Sequence, residues 1–309
     1  MNQAASGLKV WVRGIVQGVG FRPFVFSLAE DLGLTGWVKN TSRGVEIEIN
    51  GPSQSLEQFL QTLREAPPPL ARIDELRSEP AAPNGYAIFS ILESQAEEGE
   101  YLPVSPDMGI CADCRRELFD PQNRRFRYPF INCTNCGPRF SIVIDIPYDR
   151  KNTTMAGFGL CPDCLAEYEN PRDRRFHAQP VACEVCGPQV WFESGGIKIA
   201  ERADAIQRAR EWLKAGKILA VKGLGGFHLA CDASSVEAVS ELRRRKKRSD
   251  KPFALMAFDL QTIEKHCFVS AEEAALLNAQ QAPVVLLTRR SGSAIAAETA
   301  PGQTSLGFM

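Results

Sequence analysis

The sequence predicts a multidomain α+β protein, and three observations lead to this fold class. Residues 7–92 alternate between strand-like and helix-like apolar patterns, residues 105–195 contain regularly spaced cysteine pairs, and residues 196–309 again alternate between helices and strands. A chain of 309 residues is long enough for two or three domains. We predict a linker at 93–104, because its first part is acidic and has no apolar periodicity.

Composition and charge make several functions less favoured. The hydrophobic fraction of 44% and the charged fraction of 24% are ordinary for globular proteins. The net charge of -1 provides no overall positive field for nucleic acid. No apolar segment is long enough to cross a membrane, and the N-terminus does not resemble a signal peptide. We therefore expect a cytoplasmic protein.

The N-terminal segment follows the order β-α-β-β-α-β, which is the split β-α-β or ferredoxin-like arrangement. Alternating apolar residues indicate the strands, and apolar residues at helical spacing indicate the helices. The second helix should begin near Ser55, which would form a capping box with Gln58. The predicted elements are a strand at 8–12, a helix at 21–32, strands near 38 and at 45–49, a helix at 55–66, and strands at 72–77 and 86–92.

A glycine-rich loop lies between the first strand and the first helix, and Arg22 follows it in the first helical turn. Backbone N–H groups and the dipole of a helix N-terminus favour a phosphate there. An arginine can add charge-assisted hydrogen bonds. From spacing alone, a tight turn remains an alternative for the glycines, and a local backbone bond remains an alternative for Asn40.

The complete motif resembles the acylphosphatase family. Residues 14–22 (GIVQGVGFR) and 36–40 (GWVKN) carry the resemblance, which extends over nearly all of residues 7–92. It implies that Arg22 holds the phosphoryl group and that Asn40 positions the attacking water. Acyl phosphates are activated, so such a site works without a metal. The phosphate-binding loop residues implied are Gln17, Gly18, Val19, Gly20 and Phe21.

Four Cys-x-x-Cys pairs organise the middle segment, and its second half repeats the first at an offset of 50 residues, from Cys111 to Cys161. Two intervening residues let both thiolates of a pair face one metal, and a four-thiolate set suits Zn²⁺. We therefore predict two structural zinc sites. The ligands are Cys111, Cys114, Cys133 and Cys136 for one, and Cys161, Cys164, Cys183 and Cys186 for the other.

Other interpretations of these cysteines remain open. Disulfides would require an oxidising compartment, which the absence of a signal peptide disfavours. The ligand type alone does not exclude an iron–sulfur cluster. His177 could compete as a ligand, although we expect it to pack or to form a hydrogen bond. Cys231 and Cys267 lie far from the array, and we expect both to be buried thiols.

Basic and aromatic residues occur together at 124–128 and at 172–176, and their Arg-Arg-Phe runs, 124–126 and 174–176, lie at equivalent positions of the two repeats. Such a pattern is compatible with nucleic-acid binding. A structural role, in which each finger packs on its neighbour, explains the repeated position equally well. We favour the structural role.

The C-terminal segment alternates helices with strands, which indicates an α/β layer. The predicted helices lie at 205–213, 236–242 and 272–281, and the predicted strands at 218–221, 253–257 and 284–287. The strand at 218–221 should be buried, and no G-x-G-x-x-G fingerprint follows it. The basic run 243–251 fits either a solvated helix end or a cradle for nucleotide phosphates.

Residues 222–233 (KGLGGFHLACDA) and 245–256 (RKKRSDKPFALM) resemble the YrdC-type domain. The order acylphosphatase unit, doubled four-cysteine module and YrdC-like unit resembles the hydrogenase-maturation carbamoyltransferase family HypF over residues 7–309. The resemblance implies two kinds of nucleotide-binding residue, in the glycine-rich run and in the basic run. These residues are Lys222, His228, Lys246, Arg248 and Lys251.

The same resemblance implies carbamoyl phosphate and ATP as substrates and a HypE-like acceptor protein as partner. The carbamoyl group would become the cyanide ligands of [NiFe]-hydrogenase. We expect residues 196–309 to be a truncated, poorly stabilised YrdC-like α/β unit that does not adenylate carbamate alone, and residues 7–92 to work alone. A zinc-dependent module that binds double-stranded RNA is the alternative function, and a scaffold that docks HypE-like partners is a third.

Overall fold

The computed structural model describes residues 6–95 and 103–309, which form two compact units, Met1–Pro188 and Gln189–Met309. Most of the predicted linker at 93–104 lies outside the described residues. In the described ranges, every helix is too short or too polar to cross a membrane.

The first part of unit 1 is a five-stranded sheet covered by two helices. The elements are β1 (Ser6–Ile15), α1 (Phe21–Asp31), β2 (Thr35–Thr41), β3 (Gly44–Gly51), α2 (Ser53–Glu65), β4 (Arg72–Ala81) and β5 (Phe89–Ile91). The sheet order is β4-β1-β3-β2-β5, in which β5 is parallel to β2 and the other neighbours are antiparallel. This arrangement confirms the ferredoxin-like prediction, with β5 as an added edge strand.

One core joins the inner face of this sheet to both helices. Val10 and Ile47 from the strands, Val25 from α1 and Phe59 from α2 are at most 1% exposed. Burial of each such side chain contributes about 1.5–3 kcal/mol, so this core fixes the end of α1 that faces the glycine loop.

The predicted capping box of α2 is wrong. The helix begins two residues earlier, at Ser53, and its N-cap residue is Pro52, which provides no side-chain cap. The extended backbone of Pro52, with φ -61° and ψ 140°, directs the chain from β3 into the helix. Ser55 therefore lies inside the first turn, where its hydroxyl does not cap the helix.

The rest of unit 1 contains little regular structure. Each cysteine-rich half, or finger, has one helix that starts directly after a cysteine: α3 (Ala112–Phe119) follows Cys111, and α4 (Pro162–Glu169) follows Cys161. The two cysteines are the N-cap residues of these helices. We call residues 105–188 the finger module, with finger 1 around α3 and finger 2 around α4.

Unit 2 has two hairpins and one small sheet. The elements are β6 (Trp191–Ser194), β7 (Ile197–Glu201), α5 (Arg202–Lys214), β8 (Leu219–Gly223), β9 (Gly226–Ala230), α6 (Val236–Arg245), β10 (Ala254–Leu255), α7 (Leu260–Glu264), α8 (Ala271–Leu277), β11 (Val285–Thr288) and β12 (Ser305–Phe308). The pairs β6–β7 and β8–β9 are antiparallel, whereas β12 pairs in parallel with β10 and antiparallel with β11.

Two expectations about unit 2 need correction. The strand predicted at 218–221 forms as part of β8, but only Leu219 is buried, and Val221 is 47% exposed. The strand lies in a two-stranded hairpin, so little covers its faces. Cys267 is buried as expected, whereas Cys231 is only partly buried.

Candidate phosphate site and zinc centres

The glycine loop, residues 16–20, connects β1 to α1 in a conformation that requires glycine. Gly18 and Gly20 have φ of 72° and 76°, in the left-handed region that other residues rarely adopt. Gly20 is the N-cap residue of α1, so the first amides of the helix point into the loop without helical partners. This geometry suits an anion.

Arg22 and Asn40 line one cavity with the glycine loop. The Arg22 side chain is 9% exposed, and Asn40 is 1% exposed. The Oδ1 atom of Asn40 has no hydrogen-bond partner among the described residues. Because an unpaired buried amide oxygen is costly, this atom favours a bound water or ligand donor in the cavity.

The side chain of Gln17 has a structural role. Its Nε2 donates to the carbonyl oxygens of Thr41 at 2.8 Å and Gly44 at 2.9 Å. Its Oε1 accepts a bond from the backbone N–H of Tyr148 at 3.0 Å. Gln17 thus joins the loop to the β2–β3 turn and to the finger module, which leaves its backbone for the predicted phosphate contact.

The finger module forms the other side of the cavity, which the sequence did not indicate. Its position against the loop is close, because a Cβ added to Gly20 would lie 3.1 Å from Cβ of Thr134. The lining residues from the finger module include Thr134, Arg139, Tyr148, His177, Gln179 and Pro180. Of these, the sequence singles out only His177, as a possible zinc ligand.

Arg139 connects finger 1 to the glycine loop. It is 1% exposed, and its Nε donates to the carbonyl oxygen of Gly18. Its terminal nitrogens donate to backbone carbonyls around the second cysteine pair of finger 1. The acceptors are Cys133 at 3.0 Å, Thr134 at 2.9 Å, Cys136 at 3.1 Å and Pro138 at 2.8 Å.

Asp149 of the finger module binds the side chain of Arg22. Its Oδ1 lies 2.7 Å from Nη2 of Arg22, and the Oγ atom of Ser94 lies 3.1 Å from Nη1. A guanidinium has more N–H donors than these two bonds use, so Arg22 retains donors for an anion.

His177 lies in finger 2 with φ 51° and lines the same cavity. Its ring centroid is 5.0 Å from that of Tyr168 and 4.6 Å from that of Phe176. Burial and the neighbouring charge of Arg22 lower the pKa of His177 to about 4, so the imidazole is neutral at pH 7. As expected, His177 packs instead of joining the cysteine clusters.

The eight paired cysteines form the two predicted clusters, in each of which all four sulfur atoms lie within 4.8 Å of one another. The Cys111–Cys133 and Cys161–Cys183 Sγ distances are 3.7 Å. Tetrahedral zinc with Zn–S bonds of about 2.3 Å requires S···S distances of about 3.8 Å. These separations exclude disulfides and fit one Zn²⁺ in each finger.

Arginines from each finger bind the other finger's cluster. Two terminal nitrogens of Arg174, in finger 2, lie 3.2 Å from Sγ of Cys114 in finger 1. Reciprocally, Nη2 of Arg124 lies 3.2 Å from Sγ of Cys164. Zinc with four thiolates is negatively charged, so these N–H donors would stabilise it. The pattern favours a structural role for the basic runs, and RNA binding remains an untested prediction.

The proposed nucleotide contacts lie in two parts of unit 2. Lys222 and His228 are exposed on the β8–β9 hairpin, and Lys246 and Lys251 are exposed in and after the end of α6. Arg248 donates to the carbonyl oxygens of Lys251 and Pro252, at 2.9 and 2.7 Å. Its guanidinium therefore shapes the loop, and the nucleotide role of all five residues remains a prediction.

The class of the protein is defined by an acylphosphatase fold whose glycine loop is covered by a doubled four-cysteine finger. The chain matches the acylphosphatase family over residues 8–91, the HypF finger over 110–143 and 160–193, and the family described as telomere recombination over 211–309. The chain belongs to the HypF family, because HypF proteins align with it over 97–100% of its length.

Several relatives support this assignment. The chain is 50% identical over 311 residues to "Carbamoyltransferase HypF2" of Cupriavidus necator, covering 100% of this chain and 38% of that protein. It is 48% identical over 302 residues to "Carbamoyltransferase HypF" of Synechocystis sp., covering 97% of this chain and 39% of that protein. The chain thus spans about two-fifths of the length of these relatives.

Solved structures and shorter relatives agree. A crystal structure of full-length HypF in the phosphate- and nucleotide-bound form matches with a TM-score of 0.92 and 48% identity, over 99% of this chain and 40% of that chain. HypF of T. kodakarensis matches with a TM-score of 0.89 and 44% identity, over 98% and 39%. An acylphosphatase of Yersinia pseudotuberculosis is 42% identical over 82 residues, 26% of this chain and 89% of that protein.

Proposed function

We propose that the cavity at the glycine loop is an acyl-phosphate hydrolase site and that its substrate is carbamoyl phosphate. The observation that carries the proposal is the buried Asn40 amide oxygen, unpaired among the described residues and lining the same cavity as Arg22. A water that donates a hydrogen bond to Asn40 and an anion bound by Arg22 would then lie side by side.

In this proposal the loop amides and Arg22 hold the phosphoryl oxygens and stabilise the charge that develops in the transition state. The Asn40 amide oxygen accepts a hydrogen bond from a water and directs it at the phosphorus atom. The water oxygen forms the new P–O bond, and the bond between phosphorus and the carbamoyl oxygen breaks. Carbamate and inorganic phosphate leave, and the proton of the water passes to phosphate or solvent.

The walls of the cavity favour a small acyl group. Thr134 and Pro180 of the finger module lie opposite the loop and restrict the space beside the phosphate position. A carbamoyl group has about three heavy atoms, or four with the bridging oxygen, and is therefore among the smallest acyl groups. We therefore expect carbamoyl phosphate to be preferred over bulky acyl phosphates such as benzoyl phosphate.

The wider role proposed is carbamoyl transfer in hydrogenase maturation. Carbamate would react with ATP to form carbamoyl adenylate, and the carbamoyl group would pass to a HypE-like acceptor protein. A full-length HypF structure is known in a phosphate- and nucleotide-bound form, which supports both substrate classes. Lys222, His228, Lys246, Arg248 and Lys251 are the proposed nucleotide contacts in this chain.

Phosphate release from carbamoyl phosphate by the 309-residue chain tests the hydrolase proposal. Arg22→Ala and Asn40→Ala should each lower kcat by about a hundredfold or more, because each removes a group that acts in the transition state. Arg64→Ala, at an exposed position at the end of α2, is the matched control and should retain the parent rate. A zinc-loaded parent chain that releases phosphate no faster than Arg22→Ala would refute the proposal.

A further inference from the structure

We propose that the finger module completes the hydrolase site and that Asp149 is the residue that positions the Arg22 guanidinium. The proposal rests on the acyl-phosphate hydrolase function proposed above. It gives the finger module a part in the reaction, in addition to binding metal, and it replaces the expectation that residues 7–92 work alone.

The first support is the geometry of the ion pair. The side chains of Arg22 and Asp149 are only 9% and 14% exposed, and their Nη2 and Oδ1 atoms are 2.7 Å apart. Ser94 binds the other terminal nitrogen, Nη1, at 3.1 Å. Anchors on both terminal nitrogens fix the plane of the guanidinium, which decides how it can bind phosphate oxygens. An unanchored arginine would sample many rotamers instead.

The second support is the place of Asp149 relative to the cavity. Arg22 lines the cavity, whereas Asp149 is not among the described residues that line it. The carboxylate therefore binds Arg22 without lining the cavity, so a phosphate in the cavity would contact Arg22 and not Asp149. Asp149 acts through Arg22, which makes it a positioning residue.

The third support is that the neighbouring residue binds the glycine loop. The backbone N–H of Tyr148 donates to Oε1 of Gln17 at 3.0 Å, so one short segment of the finger module holds both the loop and the arginine. Gln179 of finger 2 fixes this segment in turn, because its Oε1 accepts a bond from the N–H of Arg150 at 2.8 Å. The positions of the loop and of Arg22 are thus set by the same piece of chain.

The ion pair predicts how a neutral substitution should act. Asp149→Asn keeps the shape of the side chain but removes the negative charge that partly neutralises Arg22. Phosphate binding should then stay equal or become tighter, because a buried cation without its partner attracts an anion more strongly. Catalysis should become slower, because the guanidinium is no longer held in the productive orientation.

The experiment compares the parent chain with Asp149→Asn and Asp145→Asn. Asp145 is an exposed carboxylate of the same segment and accepts a bond from the N–H of its neighbour Ile146 at 2.8 Å. The measurements are kcat and KM for carbamoyl phosphate, the inhibition constant of inorganic phosphate, and zinc content. We expect Asp149→Asn to lower kcat about ten- to a hundredfold without raising KM or the inhibition constant, and with zinc retained. Asp145→Asn should match the parent.

A kcat for Asp149→Asn within twofold of the parent, or a higher KM at unchanged kcat, would overturn the proposal. If Asp149→Asn loses zinc or fails to fold, Ser94→Ala decides, because Ser94 is the second anchor of Arg22. It should lower kcat severalfold at unchanged KM, and parent-like activity would overturn the proposal. A folded parent chain without any hydrolysis would instead refute the proposed function itself.

Discussion

The two fingers are sequence repeats that share their metal chemistry but differ in what they contact. Glu117 of finger 1 binds Arg174 and Arg175 of finger 2, and Glu167 of finger 2 binds Arg124 and Arg125 of finger 1. Each arginine pair reaches across to the other finger's helix and cluster. The repeated positions therefore build a reciprocal scaffold around two similar four-thiolate sites.

Several positions that differ between the repeats line the cavity at the glycine loop. At the offset of 50 residues, Arg139 of finger 1 corresponds to Gln189, and His177 of finger 2 corresponds to Arg127. Arg127 and His177 share a left-handed backbone, with φ of 57° and 51°, but only His177 lines the cavity. The residues that the repeats share form the cysteine clusters and the interfinger ion pairs, whereas some of the residues that differ line the cavity.

Loss of a zinc ligand should have the largest effect and should distinguish the roles of the two fingers. Cys133→Ser and Cys183→Ser should each remove one zinc ion, at a cost of roughly 10 kcal/mol of metal-binding free energy. Cys133→Ser should reduce phosphate release at least about tenfold more than Cys183→Ser, because the carbonyls that hold Arg139 belong to the Cys133 pair. Metal analysis and phosphate release measure both effects. Equal losses of activity would contradict the division of roles.

Arg139→Gln gives finger 1 the glutamine that lies at the equivalent position of the second repeat, Gln189. It should lower the free energy of unfolding by about 3 kcal/mol, because several buried carbonyls lose their donor. Urea unfolding of the zinc-saturated protein measures this change. Arg116→Gln, whose parent side chain is 71% exposed, should change the free energy by less than about 0.5 kcal/mol. Similar values for both variants would show that Arg139 has no special role.

The two interfinger glutamates should behave alike. Burial alone would raise the pKa of Glu167, but Arg125 and Arg124 outweigh it and lower that pKa to about 2. Arg174 and Arg175 likewise lower the pKa of Glu117 against the effect of burial. Glu117→Gln and Glu167→Gln should each cost about 1–2 kcal/mol of unfolding free energy in urea at pH 7. A difference above about 1 kcal/mol would show that the ion pairs of Glu117 and Glu167 do not stabilise the two fingers equally.

The smallest effect should be the pH dependence that His177 adds to finger 2. Its folded pKa of about 4 lies below the ordinary value, so the unfolded state binds more protons between these two values. The stability from neutral His177 is complete above about pH 6.5 and is lost as the pH falls towards 4, by about 1 kcal/mol between pH 6.5 and 5.5.

His177→Gln should flatten this part of the curve of unfolding free energy against pH, measured with zinc present. Arg127→Gln, at the equivalent position of finger 1, is the control and should leave the slope unchanged, because arginine stays protonated throughout. An unchanged slope in His177→Gln would place the titration elsewhere.

Short-range patterns in the sequence determined much of this protein. Alternating and helical apolar residues predicted every strand and helix of the acylphosphatase-like unit, and cysteine spacing predicted both zinc ligand sets. The glycine loop, Arg22 and Asn40 were found from one motif, and the structure brings them to one cavity. The hairpin β8–β9 was less predictable, because its second strand continues a glycine-rich run.

The contacts between the finger module and the glycine loop are visible only in the tertiary structure. Arg139 lies 121 residues from Gly18, Asp149 lies 127 residues from Arg22, and Tyr148 lies 131 residues from Gln17. No local periodicity encodes such pairs, because each depends on how two independently patterned segments pack. Short turns hold the metal ligands, so their spacing can be recognised in the sequence. Contacts between a finger and the glycine loop have no such spacing, because buried charged groups meet their partners only when the chain has folded.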